Sequence, residues 1–198
     1  METIRGRTSR ELDLNGLKER LANYNRIHLD LGTGDGRYAR TLATSHPDWF
    51  VIGMDSCREN LREHSQVKLP NLLFVIASAQ DLPGELQDCV SHLTINFPWG
   101  SLLESLLAGD PRLICGLERI SRPAASVEVR LNGGALAEAG TCLEAGTDAI
   151  CHNLHRAGWR VSTPVALDAR GLRDFPSTWA KRLAFGRDPH AMMLSAYR

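Results

Sequence analysis

The sequence has no apolar run approaching the roughly 20 residues that a helix needs to cross a bilayer. Its opening stretch, Met1 to Arg10, is polar and charged, unlike a signal peptide or an anchor, so a cytoplasmic protein with no membrane partner is expected. No pair among the five cysteines (Cys57, Cys89, Cys115, Cys142 and Cys151) has the CxxC spacing of a zinc or redox site. Cys151 and His152 are adjacent, but one Cys-His pair is not a ligand set. Reduced thiols and no metal are expected. Net charge is absent too, with 23 Lys and Arg against 23 Asp and Glu. Proteins that bind nucleic acid usually carry a basic footprint, so any such binding here requires positive charge gathered on one face.

What is present is ordinary for a globular protein: 198 residues, 43% hydrophobic and 23% charged, enough to bury a core without disulfides. One domain spanning 1–198 is expected, since there is no repeat, linker or low-complexity segment. Short apolar runs recur at Arg26–Leu31, Trp49–Met54, Leu72–Ala77, Ser91–Asn96, Val127–Leu131 and Trp159–Leu167. Between them lie helical stretches at Arg37–Ser45, Cys57–His64, Leu102–Leu107, Arg112–Ile120 and Ala135–Ala157. Ala191–Tyr197 reads as a last edge strand and 168–189 as irregular. Strands that alternate with helices and are apolar throughout predict an α/β fold of Rossmann-like type, with a mostly parallel seven-stranded sheet covered by helices on both faces. The first 25 residues form an extension, with a small hairpin around Gly6 or Ser9 and a helix over Leu14–Tyr24.

The first run ends in Asp30-Leu-Gly-Thr-Gly-Asp-Gly36 and a helix follows. Glycines there let the backbone approach a ligand, at the mouth where open α/β sheets bind. A dinucleotide site has the spacing GxGxxG; this compact GxGxG, preceded by an acid, better suits a nucleoside with an amino-acid tail. S-adenosylmethionine is therefore favoured over NAD. Asp55, ending the second strand, is placed to accept both ribose hydroxyls, and Ser78-Ala-Gln-Asp81 to lie beside an adenine ring. Each piece alone has a plainer reading, since glycines make turns and strand ends often carry Asp. Their order together points to a ligand.

Asn96-Phe-Pro-Trp-Gly100 ends the fourth strand on the same rim and looks like a variant of the Asn-Pro-Pro-aromatic loop that holds a planar nitrogen base in amino-methyltransferases. An aromatic there can stack on a base, worth ~1–3 kcal/mol; a core aromatic is the alternative. A second stacking surface is offered by Trp179, flanked by Lys181, Arg182 and Arg187. A short amphipathic helix with Trp179, Leu183 and Phe185 inward and its cations solvated is the plainer reading of that segment.

With His28-Leu-Asp-Leu-Gly-Thr-Gly-Asp-Gly-Arg37, Val51-Ile-Gly-Met-Asp55, Phe97-Pro-Trp-Gly100 and Trp179-Ala-Lys-Arg-Leu-Ala-Phe-Gly-Arg187 in order, the chain resembles the aminoglycoside-resistance 16S rRNA (adenine(1408)-N(1))-methyltransferases of Kam/Npm type. The first two motifs are generic to methyltransferases; the last two are specific to this family. The resemblance implies S-adenosylmethionine-dependent methylation of N1 of a decoding-site adenine in the small (30S) ribosomal subunit, by a monomer. It implies that Asp30, Gly32, Gly34 and Asp55 hold the cofactor, with Ser78, Ala79 and Gln80 beside its adenine and Asn96, Ser101 and Ser177 near its methionine end. Trp99 and Trp179 would sandwich the flipped base, with Phe97 and Pro98 fixing its edge. Lys181, Arg182 and Arg187, with Arg7 and Lys68, would grip the rRNA backbone. No His, Glu or Asp is expected to act as an essential base, because adenine N1 carries a lone pair and no proton.

The sequence departs from that pattern in charge. The 66–71 connection carries only Lys68, and 132–147 has no Lys or Arg, so fewer phosphate contacts and weaker, less salt-sensitive docking are expected. Arg5, Arg7 and Arg10 offer compensation from the hairpin. Two other readings remain: a tRNA guanine-N7 methyltransferase, whose Phe-Pro-Asp-Pro-Trp signature is missing here, and a weakly active or non-catalytic relative that binds cofactor and RNA.

Overall fold

Residues 1–177, 180 and 190–198 are described by the computed structural model. The chain opens with the expected hairpin, β1 (Glu2–Arg5) and β2 (Thr8–Glu11), followed by helix α1 (Leu14–Leu21), whose Asp13 cap accepts from the Gly16 N–H. Then come β3 (Arg26–Leu31), α2 (Arg37–Ser45), β4 (Trp49–Asp55), a short α3 (Arg58–Leu61), β5 (Leu72–Ile76) and β6 (Val90–Asn96). Helices α4 (Gly100–Ala108) and α5 (Pro111–Ile120) lead to β7 (Ser121–Asn132), then α6 (Gly133–Glu138) and α7 (Leu143–Arg156). The chain finishes through β8 (Arg160–Val161), β9 (Val165–Leu167), α8 (Ala169–Asp174) and β10 (Ala191–Tyr197).

The α/β class is as expected, but the described residues form a ten-stranded sheet rather than a seven-stranded one. Its order is β2-β1-β5-β4-β3-β6-β7-β10-β8, with β9 also on β10. Two causes enlarge it. The N-terminal hairpin does not sit apart: β1 pairs antiparallel with β5, Thr3 facing Val75, and so extends the sheet. The expected sixth strand, Trp159–Leu167, is split at Pro164, which has no N–H to give a ladder. The centre, β5-β4-β3-β6-β7, is parallel, whereas β10 runs antiparallel to β7 and to β8 and β9.

Four further expectations change. Ala191–Tyr197 is an interior strand, because it lies between β7 and the β8–β9 pair that forms that border of the sheet. The broad helix over 135–157 breaks at Ala139–Thr141, and Cys142 caps the new start by accepting from the Ala145 N–H. The stretch after Asp168 contains α8: Asp168 accepts the Gly171 N–H at 2.7 Å, and Leu172 is fully buried beside Phe97 and Ala191. Cys57–His64 is helical only over α3 and ends in a 3-10 turn at His64–Gln66.

The main core fills one face of the sheet with Leu29, Leu31, Leu93, Ile95, Val127 and Val129 against α4, α5 and α7 residues such as Leu103, Leu117 and Ile150. The opposite face holds a second cluster around Ala39, Val51 and Phe74. Register puts Asp30 beside Thr94, Thr94 beside Glu128, and Asn96 beside Arg130. Side chains two apart share a face, so these five polar groups form a row across the sheet at the C-terminal ends of β3, β6 and β7. That row is where the site lies.

Candidate active site

A cavity of about 640 Å³ opens at the C-terminal ends of β3, β4, β5 and β6, and the glycine turn forms its floor. All ten residues expected at the cofactor line it: Asp30, Gly32, Gly34, Asp55, Ser78, Ala79, Gln80, Asn96, Ser101 and Ser177. So do Phe97, Pro98 and Trp99. Trp179, Lys181, Arg182 and Arg187 lie outside the described residues.

The turn is built for a close approach. Gly34 has φ +59°, and a Cβ there would meet nothing within 4 Å, so its missing side chain leaves open space on the cavity wall. Gly36, at φ +78°, caps α2; a Cβ there would lie 2.5 Å from a Phe74 ring atom. One glycine thus serves the cavity and the other seats the helix on the sheet.

Asp55 braces the turn by accepting from the N–H groups of Gly34 and Cys57, each at 2.8 Å. A carboxylate offers about four acceptor sites, so capacity remains for donors such as ribose hydroxyls. Gln80 ties the β5 loop to α4, donating to the Ser101 carbonyl at 3.1 Å and the Ser105 hydroxyl at 2.7 Å.

Asp30 is almost wholly buried, 1% exposed. Its carboxylate accepts from the Thr33 hydroxyl on one oxygen, and from the Thr94 hydroxyl and Asn96 amide, each at 2.9 Å, on the other. About one acceptor site is left for a ligand. Burial pushes its pKa up to about 6, against the pull of those three donors and of Arg130. Because the Thr94 proton goes to Asp30, His28, 3.0 Å below, must donate from Nε2. Burial first, then His92 and Arg130, lowers the His28 pKa to about 3, so the ring is neutral at physiological pH.

At the rim Phe97 is buried in a left-handed conformation, φ +53°, which turns the chain so that Trp99 is 46% exposed. Phe97 therefore takes the core role open to an aromatic in this loop, and Trp99 does not. Arg7, at the hairpin tip, and Lys68 are exposed and do not line the cavity. They share a flank of the molecule: Gly6 donates to Ser65, and Lys68 lines a groove with Arg5, Arg10 and Arg20. Among the described residues no group of three or more His, Cys, Asp or Glu is placed to hold a metal, and no helix is long and apolar enough to cross a membrane.

Sequence reasoning missed Tyr38, Thr94, Arg130 and Phe175. Thr94 was findable, since it precedes Asn96 by two and shares its face. Arg130 alternates with Glu128 as a solvated strand face would, which hides that its side chain is only 13% exposed. Tyr38 lines the cavity, and burial together with the Asp30 carboxylate raises its pKa to about 12. No pattern marks Tyr38 or Phe175.

A parallel centre, an antiparallel β10, a glycine turn braced by a strand-end carboxylate and an open cavity at the strand ends define a class I S-adenosylmethionine-dependent methyltransferase. The residues fit that cofactor: the space beside Gly34 admits it, and Asp30 and Asp55 retain acceptor sites for its donors. The chain belongs more narrowly to the 16S rRNA (adenine(1408)-N(1))-methyltransferase family, which matches residues 2–198. It is 32% identical over 205 residues to an Escherichia coli 16S rRNA (adenine(1408)-N(1))-methyltransferase, covering 94% of each chain. Among solved structures, an antibiotic-related methyltransferase superposes with a TM-score of 0.87 at 31% identity, over 99% of this chain and 100% of the other. The W203A mutant of the 16S rRNA (adenine(1408)-N(1))-methyltransferase from Catenulisporales acidiphilia, solved with the cosubstrate SAM, gives 0.86 at 25% identity, over 100% and 96%. The protein is an rRNA methyltransferase.

Proposed function

We propose that this enzyme methylates N1 of adenine 1408 in the decoding site of the 30S subunit, in the cytoplasm and as a monomeric single domain, and so confers aminoglycoside resistance. The observation that carries this reading is the loop at the end of β6, where Phe97 packs inward and Trp99 stands half-exposed on the cavity rim.

S-adenosylmethionine supplies an electrophilic methyl group. Asp30, Gly32, Gly34, Asp55, Ser78, Ala79, Gln80, Asn96, Ser101 and Ser177 hold it, with the two carboxylates taking its amino and hydroxyl donors. Trp99 stacks on the extruded adenine and Trp179 closes the other face. A backbone carbonyl of Phe97 or Pro98 accepts the exocyclic amino hydrogens and selects N1. That nitrogen would take the methyl group through its lone pair as the methyl–sulfur bond breaks and S-adenosylhomocysteine leaves; no proton is lost from N1, so no general base is needed. The product ring is a cation, which the indole faces stabilise as it forms. Arg7, Lys68, Lys181, Arg182 and Arg187 hold phosphates.

The test is tritium transfer from labelled S-adenosylmethionine to intact small subunits, with reverse-transcription stops mapped at the decoding site. A single stop, lost in Trp99→Ala and Trp179→Ala, is expected. Cofactor binding without transfer would overturn the assignment. Loss of turnover on replacing one carboxylate or imidazole, with cofactor and RNA binding intact, would overturn the base-free mechanism.

A further inference from the structure

His28 is a buried imidazole that the methyl transfer itself does not use. It stands two residues before Asp30 on β3, so the two side chains share a face, and Thr94 of β6 lies in register with Asp30. All three are buried. The Thr94 hydroxyl links them: it lies 3.0 Å from His28 Nε2 and donates to Asp30 Oδ1 at 2.9 Å. A hydroxyl has one proton, so what His28 presents at Nε2 decides where that proton goes. An Nε2–H fills a lone pair on the Thr94 oxygen and leaves the proton to Asp30. A bare Nε2 would take the proton itself and turn a Thr94 lone pair toward the carboxylate.

The far side of the ring decides which form is held. Its Nδ1 is buried and has no hydrogen-bond partner among the described residues. A proton there would be an orphaned buried donor, which folded proteins rarely carry, whereas a bare lone pair is borne more readily. A charged ring would leave the same donor orphaned, and burial, then His92, Arg130 and His46, lowers the pKa to about 3. Trp49 stacks parallel to the ring, with planes 11° apart and centroids 6.0 Å apart. Tyr38 on α2 also faces the Thr94 hydroxyl, but a carboxylate is the stronger acceptor.

We propose that His28 is a positioning residue for cofactor binding: held with its proton on Nε2, it commits the Thr94 proton to Asp30 and so keeps a third donor on the carboxylate that meets the cofactor's amino group. The other two donors are held by other means. Thr33 belongs to the glycine turn, and Asn96 is oriented by Arg130, which donates to its Oδ1 at 2.9 Å. Arg130 also donates to Glu128 at 2.8 Å and lies 4.7 Å from the centre of the Phe175 ring. Hydrogen bonds to the charged form keep a carboxyl ionised. Without the Thr94 bond the Asp30 pKa, already pushed up to about 6 by burial, rises further, and a proton competes with the cofactor. This rests on the reading that Asp30 takes the amino group of S-adenosylmethionine.

The test titrates S-adenosylhomocysteine calorimetrically into the full chain at about pH 6 and about pH 8. Thr94→Val, which removes the hydroxyl, should lose about fivefold more affinity at the lower pH than at the higher, the effect of raising the Asp30 pKa by about one unit. Thr94→Ser, which keeps the hydroxyl, should show no such difference. Tyr38 on α2, His46 after it, His92 on β6, and Glu128 and Arg130 on β7 face this pair from other elements, and both variants leave them in place. His28→Leu should lose about twofold more at the lower pH, since the unguided hydroxyl divides between Asp30 and Tyr38. Added to Thr94→Val, it should bring no further pH dependence, because it acts through that hydroxyl. In the unaltered protein, NMR of isotope-labelled histidine should show His28 neutral, with its proton on Nε2, across this range. A proton on Nδ1, a His28→Leu loss equal at the two pH values, or a pH-dependent loss that persists in Thr94→Val overturns the proposal. Asp30→Asn should weaken binding and abolish its pH dependence; native affinity there would remove Asp30 as the cofactor's partner, and the role of His28 with it. A weakened Asp30→Asn beside a pH-independent His28→Leu overturns the role of His28 alone.

Discussion

Gly36→Ala and Gly34→Ala, two residues apart in one turn, should fail in different ways. Both glycines have positive φ, so alanine at either costs about 1–2 kcal/mol of backbone strain. At Gly36 the new methyl would lie 2.5 Å from Phe74, a ring only 3% exposed between β5 and α2, where overpacking adds about 1–3 kcal/mol. The expected total is about 2–5 kcal/mol at Gly36 against about 1–2 at Gly34, where the methyl meets no atom. Gly34→Ala instead projects into the cavity and should weaken S-adenosylhomocysteine about tenfold, equivalent to ~1.4 kcal/mol. Urea unfolding measures the first quantity and calorimetric titration the second. Adding Phe74→Leu to Gly36→Ala should cost less than the sum of the single changes, since both act on one packing site. Gly36→Ala within about 1 kcal/mol of the native protein, or Gly34→Ala the less stable of the two, would refute this division of labour, the threshold being the size of the strain term.

Three other outcomes follow from the same geometry. With the folded Asp30 pKa near 6, above its unfolded value, its proton stabilises the fold below about pH 4, and that contribution is lost as pH rises through 6. Affinity for a cationic ligand should run the other way, weakening about tenfold from pH 7 to pH 5; a flat calorimetric profile would remove Asp30 as its partner. Asn71→Ala should cost about 1–3 kcal/mol in urea unfolding, because its buried Nδ2 lies 2.9–3.1 Å from the carbonyls of Ala43, His46 and Trp49, which close the α2–β4 turn. Arg7→Glu and Lys68→Glu should weaken small-subunit binding and lower its salt slope by about 1 for each phosphate no longer neutralised, measured by filter binding from about 50 to about 200 mM salt; an unchanged slope would free that flank from the RNA.

The sequence by itself determined the order of the central strands β3 to β7 and the lining of most of the cavity at their ends. The apolar runs at β3, β4, β5 and β6, each short and bounded by turn residues, read as strands covered on both faces, and GxGxG after the first is a turn whose three glycines all take positive φ. Because strand ends in a parallel sheet share one rim, Asp30, Asp55, Ser78–Gln80 and Asn96 converge once the strands are known. Tertiary structure decided everything that depends on which neighbour a strand receives. An alternating run such as Ala191–Tyr197 satisfies its pattern at an edge or inside a sheet, and only pairing with β7 on one side and β8–β9 on the other makes it interior. The same holds for Arg130: Glu128 and Arg130 alternate as a solvated strand would. What covers most of the guanidinium is the arrival of Asn96 from β6 and Phe175 from beyond α8, 34 and 45 residues away in sequence. Local spacing fixes which atoms share a face; it does not fix what packs over that face.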